Sequence, residues 1–375
     1  MKYCAKCLMP DTRPGLEFDD NGVCLACVHY EKSKNTDWDE RWIQLEKLCD
    51  KYRGSNGNNY DCAIAVSGGK DSHFQTYLLK EKLKMNPVLL TVGNVDWTET
   101  GRKNLDNLSE TFGCDVIELH LNRKANRILT KKAFEDIGQP GWYMDSSIYA
   151  FPYKMAIKLG VKLLVYGEDI NYTYGGIQNE EKPSAMLQPY NKVCQPYAKN
   201  WLNEDELTEK DMEATIPPSL EECKNSELEA IYTSYFVPWN SNYNYEVAKI
   251  WGFRNLGNEY TREGPHFDNY DQIDSLSYLV NPYLKYLKFG HSIATDIGSR
   301  WIRYGIKTRE EMIPIVEEKD SKLDQGMIDL FCEFTRISRR EFYEILDKWY
   351  NTELFEKDDH GVWHPKFKVG EGLIK

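Results

Sequence analysis

Hydrophobic and polar positions divide the chain into short apolar runs separated by stretches of helical period. Ala63–Val66 is a continuous apolar run, short enough to be a buried strand. Further strands are predicted at 87–92, 115–120 and 161–166. Helical patterns lie between them. The first has Phe74, Tyr77 and Leu78 inside with Lys80 and Lys82 outside, the next runs through Leu105 and Leu108, and a basic one carries Arg123, Lys124, Arg127, Lys131 and Lys132. Another surrounds Pro152 to Leu159. Strands alternating with helices predict an α/β fold, a parallel sheet with helices on both faces. Ligands of such sheets bind beyond the carboxyl ends of the strands, near a topological switch point.

The pattern changes on either side of this region. Residues 1–35 read as a small separate module, and 36–59 as a connecting helix (Trp38, Trp42, Leu45, Leu48 on one side) ending in the polar linker 54–59. The α/β domain is expected over 60–200 and a mainly helical substrate or partner region over 201–375. Within the latter, 203–229 reads as an exposed, acidic helical excursion, followed by an aromatic-rich stretch. Residues 310–349 read as helical packing or an oligomer contact. The 375 residues leave room for two or three domains and a sizeable core.

Composition narrows the class. No 18-residue apolar run occurs, and the first residues lack the apolar core of a signal peptide, so a soluble, cytoplasmic protein without a membrane partner is expected. The ten cysteines are then thiols or metal ligands rather than disulfides. The formal charge is −12, of which 203–229 supplies −8 (ten acids, two lysines), leaving −4 for the rest and arguing against a nucleic-acid partner.

Two motifs carry chemistry. Cys4-x2-Cys7 and Cys24-x2-Cys27 are separated by sixteen residues, the spacing of a four-thiolate zinc ribbon. So short a segment has little core, so the metal would supply its folding energy. The second motif, Ser67-Gly68-Gly69-Lys70-Asp71-Ser72, joins the first strand to a helix. Gly68 and Gly69 let backbone approach phosphate, and the first helical turn points N–H groups at it. Ser67 adds a donor, Lys70 a mobile charge, and Asp71 a carboxylate suited to Mg²⁺. The spacing is not that of a Walker loop. Asp96 after the second strand and Gly167-Glu168-Asp169 after the fourth should open onto the same crevice, with Glu168 and Asp169 orienting nucleotide or Mg²⁺, or else capping a turn. Thr173–Gly176, with Tyr174, reads as a closing loop. Trp239 and Arg262 lie in aromatic, polar loops suited to sugar or base recognition. Arg300, Arg303 and Lys307 share a helix face that could meet phosphate or a sugar carboxylate.

The loop resembles the SGGxDS signature of the PP-loop ATP pyrophosphatases, which cleave ATP between the α and β phosphates. Together with the cysteine pairs, Gly167-Glu-Asp169 and Lys288-Phe-Gly-His291, it resembles the N-acetyl sugar amidotransferases of bacterial surface glycans, including pseudaminic acid and O-antigen synthesis. That resemblance implies conversion of a sugar N-acetyl group to an acetamidino group through an adenylyl imidate. It makes ATP, Mg²⁺ and Zn²⁺ the cofactors, with Lys288 a second phosphate contact and His291 near the sugar. No processed N-terminal cysteine and no Gly-x-Cys-x-Gly turn is present, so ammonia is expected from a separate glutaminase subunit, through a barrel-shaped partner. The rival resemblance is a tRNA-thiolating enzyme, for which Cys114, Cys194 and Cys223 are the available thiols. A third reading is a zinc-ribbon scaffold that senses ATP.

Overall fold

The computed structural model describes residues 1–176, 181–190, 201–204 and 207–374. Five strands form one sheet: β1 (Cys62–Ala65), β2 (Pro87–Val92), β3 (Asp115–Leu119), β4 (Leu163–Tyr166) and β5 (Glu229–Tyr232). Their order is β3-β2-β1-β4-β5, and every pairing is parallel. The four strand runs of the sequence thus become β1 to β4. The chain builds outward from β1 to β3 on one side, then returns to place β4 and β5 on the other. The switch point therefore lies between β1 and β4, above the loop that carries Ser67. This is the α/β class expected, a parallel sheet with helices on both faces.

Side chains alternate across the sheet as the pleat requires. Ile64, Leu89, Val165 and Ile231 face one layer, packed by Leu45 and Cys49 of the Trp38–Tyr52 helix, Leu105 and Leu108 of Glu99–Phe112, and Phe74. Ala63, Val88, Leu90, Leu164 and Ala230 face the other, covered by Met144, Phe151 and Ala156 of the Trp142–Lys158 helix. Cys49 and Cys62 are fully buried small hydrophobes, as expected.

The fifth strand was not expected. The stretch 203–229 read as an exposed helical excursion, yet its end pairs with β4, Leu163 opposite Glu229 through Tyr166 opposite Tyr232. The sheet therefore runs past the boundary expected at residue 200. The run Leu228-Glu229-Ala230-Ile231-Tyr232 is too short to stand out between an acidic and an aromatic stretch. Short helices do precede it, at Glu209–Met212 and Leu220–Asn225, the latter with a capping box on Ser219. Cys194 and residues 205–206 lie outside the described residues.

The C-terminal region is helical as expected, with Val280–Phe289, Ile293–Arg303, Arg309–Lys319, Gln325–Thr335 and Arg339–Asp347, closed by a small antiparallel hairpin of Phe355–Lys357 and Trp363–Pro365. Among the described residues, no helix is long and apolar enough to cross a membrane.

Ile64 lies in the central strand with no exposed surface, whereas Ile43 on the connecting helix is 47% exposed. Urea unfolding followed by circular dichroism should show Ile64→Ala losing about 2–5 kcal/mol. Ile43→Ala should change stability by about 0.5 kcal/mol or less.

Candidate functional site

The loop after β1 is built by its own side chains. The Ser72 hydroxyl accepts the Ser67 N–H at 2.9 Å, and Ser67 Oγ accepts from the Gly69 N–H at 3.4 Å. Gly68 sits at φ +88°, and a Cβ there would lie 3.1 Å from Leu105, so the turn requires glycine on both counts. His73, fully buried, locks the first turn from behind. Burial pushes its imidazole down to about 4, so the ring is neutral. Its Nδ1 donates to the Gly69 carbonyl at 3.0 Å, and Nε2 accepts from the Asn107 amide at 3.1 Å. No side chain caps the start of the Lys70–Thr76 helix, which leaves its first N–H groups available to an anion.

Lys70 does not dangle into solvent. It is 5% exposed and its ammonium lies between Asp71, at 2.9 Å, and Asp271. The second oxygen of Asp271 accepts from Arg300 Nη2 at 2.8 Å, and Arg300 Nη1 donates to the Tyr174 hydroxyl at 3.1 Å. Asn244 of the Ser241–Ile250 helix donates to Asp71 at 2.8 Å. Burial opposes every charge here, but the partners win: Asp271 and Asp71 hold Lys70 above its ordinary range, and Lys70 and Arg300 hold Asp271 well below the usual carboxylate range. Glu168, half-buried, goes the other way. Burial first, and the negative charge of Asp71 second, push it up to about 7.

Beside this cluster is a cavity of about 260 Å³. One wall is Ser67–Asp71 with Asn94, and the opposite wall is 270–275 with Tyr278. Met144 and Ile148 make an apolar end. Asp96 fixes the opposite wall in place: its carboxylate accepts from the Ser275 hydroxyl at 2.5 Å and the Ser277 N–H at 2.9 Å. Thr98 N donates to the Asp274 carbonyl at 3.0 Å, and Asn94 donates to the Asp274 carboxylate at 2.8 Å.

Several residues expected in the site have other positions. Asp96 is a half-buried anchor of the wall. Asp169 is 3% exposed and caps the Ile170–Thr173 helix through the N–H groups of Asn171 and Tyr172, the capped turn that was the alternative reading. Gly167 is tight against Gln75 and Trp239, and Trp239 packs on Phe74 outside the cavity lining. Arg262 is buried, holding the 262–272 loop through Asp268 and the Gln272 carbonyl at 2.6 Å. Lys288 donates to the Gly138 carbonyl at 2.8 Å beneath Trp349, and burial lowers it to about 8. It does not line the cavity. His291 is buried beside Phe289, pushed down to about 3. The Arg300–Lys307 face also divides: Arg300 points to Asp271, Arg303 to Cys7 Sγ at 4.0 Å, and Lys307, past the helix end, pairs with Glu311.

Cys4, Cys7, Cys24 and Cys27 are buried and their sulfurs all lie within 4.8 Å of one another. A tetrahedral zinc with bonds of about 2.3 Å would hold sulfurs about 3.8 Å apart, so the donor set fits such an ion. The Cys4 sulfur also accepts N–H groups of Lys6 and Cys24 at 3.3 and 3.2 Å. The module is joined to the site. Arg13 pairs with Asp296 at 2.5 Å and lies over the Tyr174 ring, and His29 stacks on Tyr172 while bonding its carbonyl at 2.8 Å. A Cβ on Gly175 would lie 2.4 Å from Ala26 N. The segment 173–176, read as a closing loop, is thus seated on the cysteine module.

Asp271, Asn244, Asp274 and Arg13 were missed. All except Arg13 come from beyond residue 200, where no motif flags them, and each works through a contact spanning well over a hundred residues.

Residues 264–369 match the family model for the C-terminal domain of WbpG-like LPS biosynthesis proteins. The expectation of a surface-glycan family thus meets a lipopolysaccharide-biosynthesis domain. An uncharacterised protein of Methanocaldococcus jannaschii is 25% identical over 198 residues, 50% of this chain and 67% of that protein. Among solved structures, the U34-tRNA thiolase NcsA of Methanococcus maripaludis with its 4Fe-4S cluster aligns with 86% of this chain and 91% of its own, at 16% identity and a TM-score of 0.32. That likeness is too loose to carry residue roles across.

Because the folded-state value of Glu168 is raised above its ordinary 4.5, the folded chain binds more protons than the unfolded one between there and about 7. Its contribution to stability therefore falls as pH rises through that window. Thermal melts between pH 5 and 7.5 should show Glu168→Gln losing less stability with rising pH than the parent; identical slopes would contradict the assignment.

Proposed function

We infer that the chain is an ATP-dependent, AMP-forming amidotransferase that converts the N-acetyl group of a bacterial glycan sugar to an acetamidino group. The observation that carries this is the composition of the cavity: the Ser67–Asp71 loop forms one wall, and the lipopolysaccharide-biosynthesis domain supplies the opposite wall, Tyr270 to Tyr278. A polyphosphate-shaped anion site and a glycan-pathway domain therefore share one reaction space. Its apolar end suits a base or an acetyl methyl group, and its polar end suits phosphates.

The chemistry follows from the leaving group. An amide carbon resists ammonia because its oxygen leaves poorly. The amide oxygen attacks the α-phosphorus, the bond to the β-phosphate oxygen breaks, and pyrophosphate leaves. Ammonia then adds to the O-adenylyl imidate carbon, which expels AMP carrying the former amide oxygen and loses a proton. The loop amides, Ser67 Oγ and Lys70 stabilise the departing pyrophosphate. Asp71, partly exposed beside Lys70, is placed to hold Mg²⁺, which when bound supplies further charge for the phosphates. Ammonia is assigned to a separate glutaminase, delivered through a barrel-shaped partner, and the cytoplasm is where ATP and such a partner are available.

Thiolation of tRNA by a cysteine of the chain itself requires a thiol that reaches the adenylated atom. Among the described residues no cysteine lines the cavity; Cys114 and Cys223 are buried in the two faces of the sheet.

Pyrophosphate release with ATP, Mg²⁺ and ammonium should appear only with an N-acetylated nucleotide sugar, with an acetamido oxygen replaced by NH in the product's mass. Lys70→Ala should lower kcat/KM by about 10²–10³. Release stimulated by tRNA instead would overturn the assignment. Elemental analysis should find one zinc per chain, and Cys24→Ser should lose it and expose the 1–35 segment to protease; a full zinc content in that variant would refute the thiolate site.

A further inference from the structure

Asp271 is shared by two buried cations that come from distant parts of the chain. One carboxylate oxygen meets Lys70 of the phosphate loop, and the other accepts from Arg300 of the Ile293–Arg303 helix at 2.8 Å. The side chains of Lys70, Asp271 and Arg300 are only 6, 12 and 14% exposed. Asp271 lines the same cavity as Ser67, Gly68 and Gly69. A carboxylate whose two oxygens each hold one cation has the charge and edge geometry of a phosphoryl group in a two-cation clamp.

We propose that Lys70 and Arg300 together form a diphosphate clamp and that Asp271 is its internal competitor, which the diphosphate group displaces from both cations. This rests on the reading of the Ser67–Ser72 loop as a polyphosphate site. The physical reason for a resident carboxylate is the cost of the alternative. Two cations buried side by side without an anion repel each other and lose their hydration, so an internal anion stabilises the fold. The same anion sets a threshold. A singly charged ligand cannot replace a carboxylate that already satisfies both cations, whereas a diphosphate brings two adjacent charged groups and further contacts from the loop amides. The apparent affinity is then the intrinsic affinity reduced by the fraction of molecules in which the cations are free.

The geometry also says how the exchange occurs. The Asp271 backbone is fixed, its N–H bonded to Asp268 Oδ1 at 3.1 Å and the next carbonyl held by Arg262 at 2.6 Å. Release is therefore a rotation of the Asp271 side chain about its own bonds, with the cavity wall left in place. Asp71 is not a second competitor of the same kind, because Asn244 holds its other oxygen and it does not reach Arg300.

The test is titration calorimetry of the full chain with inorganic pyrophosphate, with orthophosphate as the control anion. Asp271→Asn should bind pyrophosphate about fivefold or more tightly than the parent, and should discriminate less against orthophosphate. Its melting temperature should fall without ligand and rise more than the parent's on adding pyrophosphate. Arg300→Gln, which keeps the Lys70–Asp271 pair, serves if Asp271→Asn does not fold. It should bind pyrophosphate at least about fivefold more weakly. Equal or weaker pyrophosphate binding by Asp271→Asn, or parental affinity in Arg300→Gln, would overturn the clamp and its competitor while leaving the loop reading intact. Absence of pyrophosphate binding by the parent chain itself, at millimolar ligand, would instead overturn the loop reading and the proposal with it.

Discussion

A charged lysine almost without solvent is the constraint around which the site is arranged. Lys70 is fixed by the strand-turn-helix geometry of its loop, and at 5% exposure its ammonium needs carboxylates within reach. Asp71 is adjacent in sequence, but Asp271 has to be delivered from two hundred residues away. The delivery explains otherwise unconnected features: Asp96 holding Ser275 and Ser277, Thr98 and Asn94 holding Asp274, and Arg262 holding Asp268 and Gln272 on either side of Asp271. Each is a hydrogen bond or ion pair between the sheet's carboxyl edge and the C-terminal region, or within that region's own loop. Together they make the cavity wall a fixed part of the α/β domain's surface.

The parts of the fold that the sequence made legible are those governed by local chemistry. Ala63 to Val66 followed by Ser-Gly-Gly-Lys-Asp-Ser has one economical conformation, a buried strand turning into a helix, and it takes it. Paired cysteines at metal spacing come together for the same reason: two tight turns leave them little freedom. β5 was hidden because a four-residue strand receives its identity from the partner strand, not from its own pattern. The misplaced site residues fail in a consistent direction. Lys288, Arg262 and His291 are polar side chains in aromatic, loop-rich sequence, which is also the composition of a buried polar contact supporting a loop. Sequence alone does not separate a cation aimed at a ligand from one aimed at a carbonyl such as that of Gly138.

The divided fate of Arg300 and Arg303 shows what spacing does and does not carry. Residues three apart on a helix share a face, and both arginines are half-buried with partners inside the protein. What differs is the neighbour each one finds. Arg300 reaches Asp271 and Tyr174, while Arg303 meets the sulfur cluster, whose thiolates raise its value further against the opposing effect of burial. Four thiolates around a divalent ion would leave a net charge of −2, of which an arginine at that spot offsets half.

One helix therefore supplies a cation to each part, Arg300 to Asp271 beside the phosphate loop and Arg303 to the cysteine module, and this sets how the two depend on each other. Tyr174 lies between the arginines of the two parts, its ring under Arg13 and its hydroxyl on Arg300, while Arg13 itself is tied to Asp296 on the same helix. Lys285 shares that carboxylate at 2.6 Å. The link is made of buried ion pairs, which tolerate loss of a partner poorly. The module's core is otherwise slight, a few side chains around the cysteines. Its seat on 172–176 and on the Ile293–Arg303 helix must then be kept by whatever holds the four sulfurs together. A metal held there would act on the cavity without touching it, by fixing the tyrosine and the helix that place Arg300 over Asp271.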